Sequence, residues 1–235
     1  MENLELKNDI VLEMAQAGVL FGHKKSKTHP RMKKFIGANR NEIEILEPEA
    51  TLNGLSEAGK FLAGIFRAGG TVLVIGTTPA SAGAVEEFAQ TFKQPFVTSR
   101  WLGGTLTNFK VISERMKYYL ELKGQKERGE LGKYTKKEQQ EFGVQIGKMS
   151  KVFDGIINMS RLPHAILVVD TVEHETAVRE AKRLKIPVVA VLDTNDNPDN
   201  ADCMICANDH SRESVDWVMA KLSENIKNEN PIKND

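Results

Sequence analysis

The chain has 235 residues, 40% hydrophobic and 27% charged, with 32 Lys/Arg against 32 Asp/Glu and a net charge of zero. That is enough for one sizeable core plus an appendage. No run of eighteen apolar residues occurs, which argues against a transmembrane helix, and the two cysteines argue against a disulfide framework and fit a reducing cytosol.

The amino terminus, MENLELKNDIVLEMAQAG, is acidic and amphipathic. It lacks the basic start and apolar middle of a signal peptide, so a cytoplasmic location is expected. Residues 5–17 read as a helix with Leu6, Ile10, Met14 and Ala17 on one face and Gly18 as its stop. The next stretch, FGHKKSKTHPRMKKFIGANR (residues 21–40), carries seven Lys/Arg and no Asp/Glu. It has no clean period and reads as an irregular loop with a short strand near Phe35 and Ile36. Twenty residues without one acid suggest a surface for a polyanion. Lys24, Lys25, Lys27, Arg31, Lys33, Lys34 and Arg40 can each neutralise a phosphate, and His23 and His29 suit phosphate contact better than base catalysis.

IEIL (residues 43–46) alternates as a short strand. EPEATLNGLSEAGKFLAGIFRAGG predicts a helix with Pro48 in its first turn, Leu52, Leu55, Leu62 and Ile65 inward, and Gly69-Gly70 at its end. TVLVIG is a continuous apolar run, as in a strand buried on both faces. Thr78 and Pro79 read as the N-cap and first turn of a helix that turns Val85, Phe88 and Phe92 inward. PFVT is the next strand, and it leads into SRWLGGTLTNFK, residues 99–110.

A phosphate-cradling P-loop needs Lys and Ser/Thr directly after its last glycine, whereas here the lysine falls six residues past Gly104. No G-x-G-x-x-G follows any strand, so a substrate nucleotide has weak support. The loop does allow close backbone approach and offers helix-start N–H groups to an anion. Arg100 and Lys110 add charge, Asn108 adds donors, and Trp101 is either a stacking face or a core residue. These features suit an RNA backbone.

More than sixty residues then separate PFVT from AILVVD. Leu102, Leu106, Phe109, Ile112, Met116 and Tyr119 step by three or four. Phe142, Ile146, Met149, Phe153 and Ile156 follow a heptad seam. With a polar, glycine-punctuated tip between them, these predict an antiparallel helical hairpin whose first arm, residues 105–123, reaches roughly 28 Å. Residues 93–137 carry eleven basic and four acidic residues, another cationic region.

AILVVD, a helix bearing Ala177, Ala181 and Leu184, PVVAVLD, and a final helix over 211–225 complete the pattern. Alternating strands and helices predict a parallel sheet covered on both faces. The polar tail from residue 228 is expected to be disordered. Cys203-x-x-Cys206 is half a metal site at most, so Asp193, Cys203, Cys206 and His210 are weak candidates and no cofactor is expected. Asp170 and Asp193, at strand ends, suit the capping of turns. No nucleophile, acid–base or H-E-x-x-H pattern appears, so no catalytic residue is assigned and the chain reads as a non-enzyme. The alternative is a nucleotide-dependent enzyme on a doubly wound fold.

In order, the chain shows AGVLFGHKKSKTHPRMKKFI, VLVIGTT, RWLGGTLTNF, LPHAILVVD, EAKRLKIPVVAVLDTNDNPDNADCMI and ANDHSRESV. Together these resemble the bacterial-type small ribosomal subunit protein S-two family, over nearly the whole chain. The resemblance implies a flavodoxin-like three-layer α/β/α domain (residues 1–104 and 160–227) with an inserted coiled-coil hairpin (residues 105–159). It implies a structural protein of the small subunit bound to 16S rRNA between head and body. It also implies contacts with other small-subunit proteins, including the large multi-OB-fold messenger-binding protein. The 21–32 block and the 100–108 loop would face RNA or fix the hairpin. His29 stands where the family usually has an amide, and PHAI and ANDH depart from its usual acidic residues.

Overall fold

The computed structural model describes residues 2–229, with side chains from residue 9 onward. Helix α1 (Glu2–Gln16) ends at Gly18, whose φ of 73° suits the left-handed turn that follows a helix. Its Met14 is fully buried, while the expected inward position of Leu6 lies outside the described side chains.

The basic stretch is more ordered than its lack of period suggests. It forms β1 (Phe21–Lys24), 3₁₀ turns at Lys25–Lys27 and Pro30–Phe35, and β2 (Ile36–Arg40). With β3 (Ile43–Leu46) these strands make a separate antiparallel sheet of order β1-β3-β2. Asn41 and Glu42, with φ of 51° and 66°, form the two-residue hairpin between β2 and β3. This small sheet corrects the expectation of an irregular loop feeding one parallel sheet. Backbone pairing, which no side-chain period reports, is what orders it.

Helix α2 (Pro48–Arg67) starts with proline in its first turn and ends before Gly69, at φ 65°. Strand β4 (Val72–Ile75), helix α3 (Ala82–Thr91) and strand β5 (Phe96–Val97) follow. Thr78 is not the cap of α3: Ser81 stands there, and Thr78 Oγ1 meets Ser81 Oγ at 2.8 Å one turn earlier. Then come α4 (Phe109–Glu127), α5 (Lys136–Phe153), β6 (Ala165–Val169), α6 (Glu175–Arg183), β7 (Val188–Leu192), β8 (Cys203–Cys206) and α7 (Arg212–Glu229). Helix α7 takes in residues 228 and 229, which were expected in the tail, and the rest of that tail lies outside the described residues.

The main sheet has five parallel strands in the order β5-β4-β6-β7-β8. Its three central strands are buried on both faces, as continuous apolar runs require. Alternate residues serve alternate cores. Val72 and Val74 join Leu55, Phe88 and Val218 from α2, α3 and α7. Leu73 and Ile75 join Ala177, Ala181, Ile112 and Met116 from α6 and α4. Helix α2 lies so close to β8 that a Cβ on Gly54 would stand 2.3 Å from the Met204 carbonyl oxygen.

Between β5 and β6, α4 begins at Phe109 rather than at residue 105, because Gly103 to Asn108 form turns. Helix α5 opens on a capping box, in which Glu138 N–H donates to Thr135 Oγ1 and the Thr135 N–H donates to Glu138. The Tyr119 ring of α4 lies tilted against Phe153 of α5, centroids 6.2 Å apart, and its hydroxyl donates to Asp154 at 2.6 Å. Burial first, then this hydrogen bond, pushes the Tyr119 hydroxyl up to about 12.

Candidate nucleic-acid interface

The basic segment is built around a few anchors. Gly22 lies against Thr194, just past β7, where a Cβ would meet Thr194 Cγ2 at 2.4 Å. His23 N–H donates to Thr194 Oγ1 at 2.8 Å, and His29 N–H donates to the Thr194 carbonyl at 2.8 Å. Met32 is fully buried against Leu46 and Cys206. An apolar pin and backbone bonds thus hold the segment, which leaves its charges outside. Lys24, Lys25, Lys27, Arg31, Lys33, Lys34 and Arg40 are all exposed. Among the described residues only Arg31 of this set has an ion-pair partner, Asp199. His29 is half-buried, and its Nδ1 accepts from Arg31 N–H at 3.3 Å as the cap of the turn.

The glycine loop is arranged differently from the expectation. Its N–H groups converge on one buried carboxylate, that of Glu180 in α6. Gly104 N–H and Trp101 Nε1 donate to Oε1 at 2.7 and 3.1 Å. Leu106 N–H, Thr107 N–H and Thr107 Oγ1 each donate to Oε2 at 3.0 Å. Burial raises the pKa of this carboxyl, but the bonds from Thr107, Gly104, Trp101 and Leu106 outweigh it and hold the group below its ordinary range. The amides expected to meet an external anion are therefore already engaged. Trp101 is half-buried and packs on the second core with Leu102 and Phe109. Arg100, Asn108 and Lys110 remain exposed.

The two regions are joined by short links. Two residues beyond Glu180, Lys182 Nζ donates to Asp199 O at 2.6 Å and to Asn200 Oδ1 at 3.0 Å, and Asp199 pairs with Arg31. Met204 packs against both the core beneath Trp101 and the small core that pins Met32.

The carboxyl ends of the parallel strands carry acids. Asp170, Asp193, Asp196 and Asp209 are all buried. Asp170 Oδ1 accepts from Val172 and Glu173 N–H at 2.9 Å, and Asp196 Oδ2 accepts from Asp193 N–H at 2.9 Å, so these acids cap turns. His174 is buried beside them, its Nε2 accepting from Thr77 N–H at 3.1 Å just after β4.

Donor atoms of His23, Asp193 and His210 lie within 4.8 Å of one another, as do those of Asp170, Asp209 and His210. The hydrogen bond with Asp209 pushes His210 up to about 9. Imidazole and carboxylate are metal-ligand types, but His210, kept protonated near neutral pH by Asp209, must lose that proton before it can ligate a cation. Asp193 and His210 are thus brought together, with His23 added from 170 residues away, a distance in sequence that hid it. Cys203 and Cys206 take no part among the described residues. Burial pushes their thiols up to about 11 and about 12, which disfavours the thiolate a metal needs.

Residues 14–229 match the protein family described as Ribosomal protein S2. The chain belongs to the ribosomal protein S2 family. It is 39% identical over 211 residues to the small ribosomal subunit protein uS2 of Roseiflexus castenholzii, covering 90% of this chain and 80% of that one. It is 37% identical over 216 residues to the uS2 of Dehalococcoides mccartyi, covering 92% and 88%. With the uS2 of Rhodopirellula baltica the identity is 39% over 221 residues, covering 94% and 85%. The S2 match takes in the basic segment, the glycine loop, Glu180 and the acidic strand ends. Among the described residues no helix is long and apolar enough to cross a membrane.

Proposed function

We propose that this chain is a structural, non-catalytic constituent of the small ribosomal subunit, acting in the cytoplasm within the ribosome. In this reading it binds 16S rRNA between head and body. The acid-free segment supplies Lys24, Lys25, Lys27, His29, Arg31, Lys33, Lys34 and Arg40. The neck of the helical arm supplies Arg100, Trp101, Asn108 and Lys110, with Trp101 held by its indole N–H and offering its remaining exposed surface.

The observation that carries the reading is the contrast between two regions. The segment's cations are exposed and, among the described residues, only Arg31 has an ion-pair partner, as phosphate contacts need. The strand ends and glycine turn, where a doubly wound enzyme holds its ligand, are filled by the chain's own Glu180, His174 and aspartates. That filling disfavours the alternative of a nucleotide-dependent enzyme. The links through Lys182, Asp199 and Met204 support one continuous cationic flank.

The fold is read as flavodoxin-like, with a globular body of residues 1–104 and 160–227 and a coiled-coil hairpin of residues 105–159. The Tyr119–Phe153 contact and the Tyr118–Gln145 hydrogen bond, at 3.5 Å, support an antiparallel pair. Other small-subunit proteins, including the large multi-OB-fold messenger-binding protein, are the proposed protein partners. In density gradients of cell lysate the chain should co-sediment with small subunits at low salt and leave them at high salt. Recovery at the top of a low-salt gradient would sink the proposal.

A further inference from the structure

The turn that launches α4 is held by a charge from another element. Glu180 has no cationic partner among the described residues, and its balance comes from five donors on residues 101–107. It is only 8% exposed, so these donors carry most of that task. Backbone N–H groups that converge in this way form an anion nest. Here the anion is covalently part of α6, more than seventy residues away. Helix α4 begins two residues after Thr107, so whatever fixes the turn also fixes the base of the arm.

We propose that Glu180 is a positioning residue whose negative charge, rather than its bulk, sets where the helical arm leaves the sheet. An uncharged amide of equal size has one acceptor oxygen. Its NH₂ group would face either the Gly104 and Trp101 donors or the Leu106 and Thr107 donors, and leave that set unpaired. A small side chain would leave the nest open to a free carboxylate. The role stands on this geometry alone; only its consequence for RNA rests on the function proposed above.

The test is amide hydrogen exchange of the full chain without RNA, in the wild type, Glu180→Gln and Glu180→Ala. Exchange should speed up at least about tenfold at Gly104, Leu106 and Thr107 in Glu180→Ala, and at either Gly104 or the Leu106–Thr107 pair in Glu180→Gln, whichever set faces the NH₂. Added formate should restore protection in Glu180→Ala, whose nest is vacant, and leave Glu180→Gln unchanged. Wild-type protection in Glu180→Gln would overturn the proposal, because bulk would then suffice. Failure of formate in a folded Glu180→Ala would overturn it too. If the Ala variant does not fold, the Gln variant decides. Faster exchange with unaltered affinity for 16S rRNA would leave the positioning role intact and remove the loop from the RNA interface.

Discussion

Replacing Lys24, Lys25 and Lys27 together with Gln tests the cationic segment without adding repulsion. Six exposed cations there, Lys24, Lys25, Lys27, Lys33, Lys34 and Arg40, lack a carboxylate partner among the described residues. If each neutralises one phosphate, log K should fall with log salt at a slope of about −5.4. The triple variant removes half of those contacts, so its slope should flatten to about −2.7. The same term makes its affinity in ~0.1 M salt roughly 500-fold weaker. Stability should hardly change, since Met32 and the Thr194 contacts hold the segment and none of the three lysines takes part. Fluorescence anisotropy with a 16S rRNA fragment over a salt series reads both numbers. An unchanged slope in a variant that melts like the wild type would refute the assignment of these lysines to phosphates.

Asp199→Asn should release Arg31 from the carboxylate that competes with RNA phosphate for it, and steepen the salt slope by up to about 0.9 in the same assay. Gly54→Ala should cost ~1–3 kcal/mol in urea unfolding, because its Cβ would collide with the β8 backbone. Gly64→Ala on the same helix meets nothing within 4 Å and should stabilise instead, by about 0.5–1 kcal/mol. Burial pushes the Cys206 thiol up to about 12, with the nearby Lys34 opposing, so the folded chain keeps a proton that the unfolded chain releases from about pH 9. Its contribution is therefore intact below the ordinary thiol range and is lost as pH rises towards 12. Urea midpoints of Cys206→Ala should decline less steeply than those of the wild type across that alkaline window; parallel declines would contradict it.

The sequence by itself determined the elements whose side chains repeat at a fixed period. TVLVIG, AILVVD and PVVAVLD are strands because unbroken apolar runs of that length need burial on both faces. The stripes of α2 and α4 likewise announced their inner faces in Leu55, Leu62, Ile112 and Met116. Local composition also marked residues 21–40 as a cationic surface.

Only the tertiary structure decided which groups meet. The small antiparallel sheet is ordered by backbone pairing and one buried methionine, neither of which leaves a repeat in a charged stretch. Asp193 was visible at a strand end, yet its partner His23 comes from the other end of the chain, and Cys203 and Cys206 had suggested themselves by spacing alone. The glycine loop looked ready for an external anion because its donors are local, whereas the carboxylate that fills it is carried by α6. Periodicity encodes how an element faces its surroundings. Which charge ends up opposite which donor is set by the packing of distant segments, and a single chain read in order carries no trace of it.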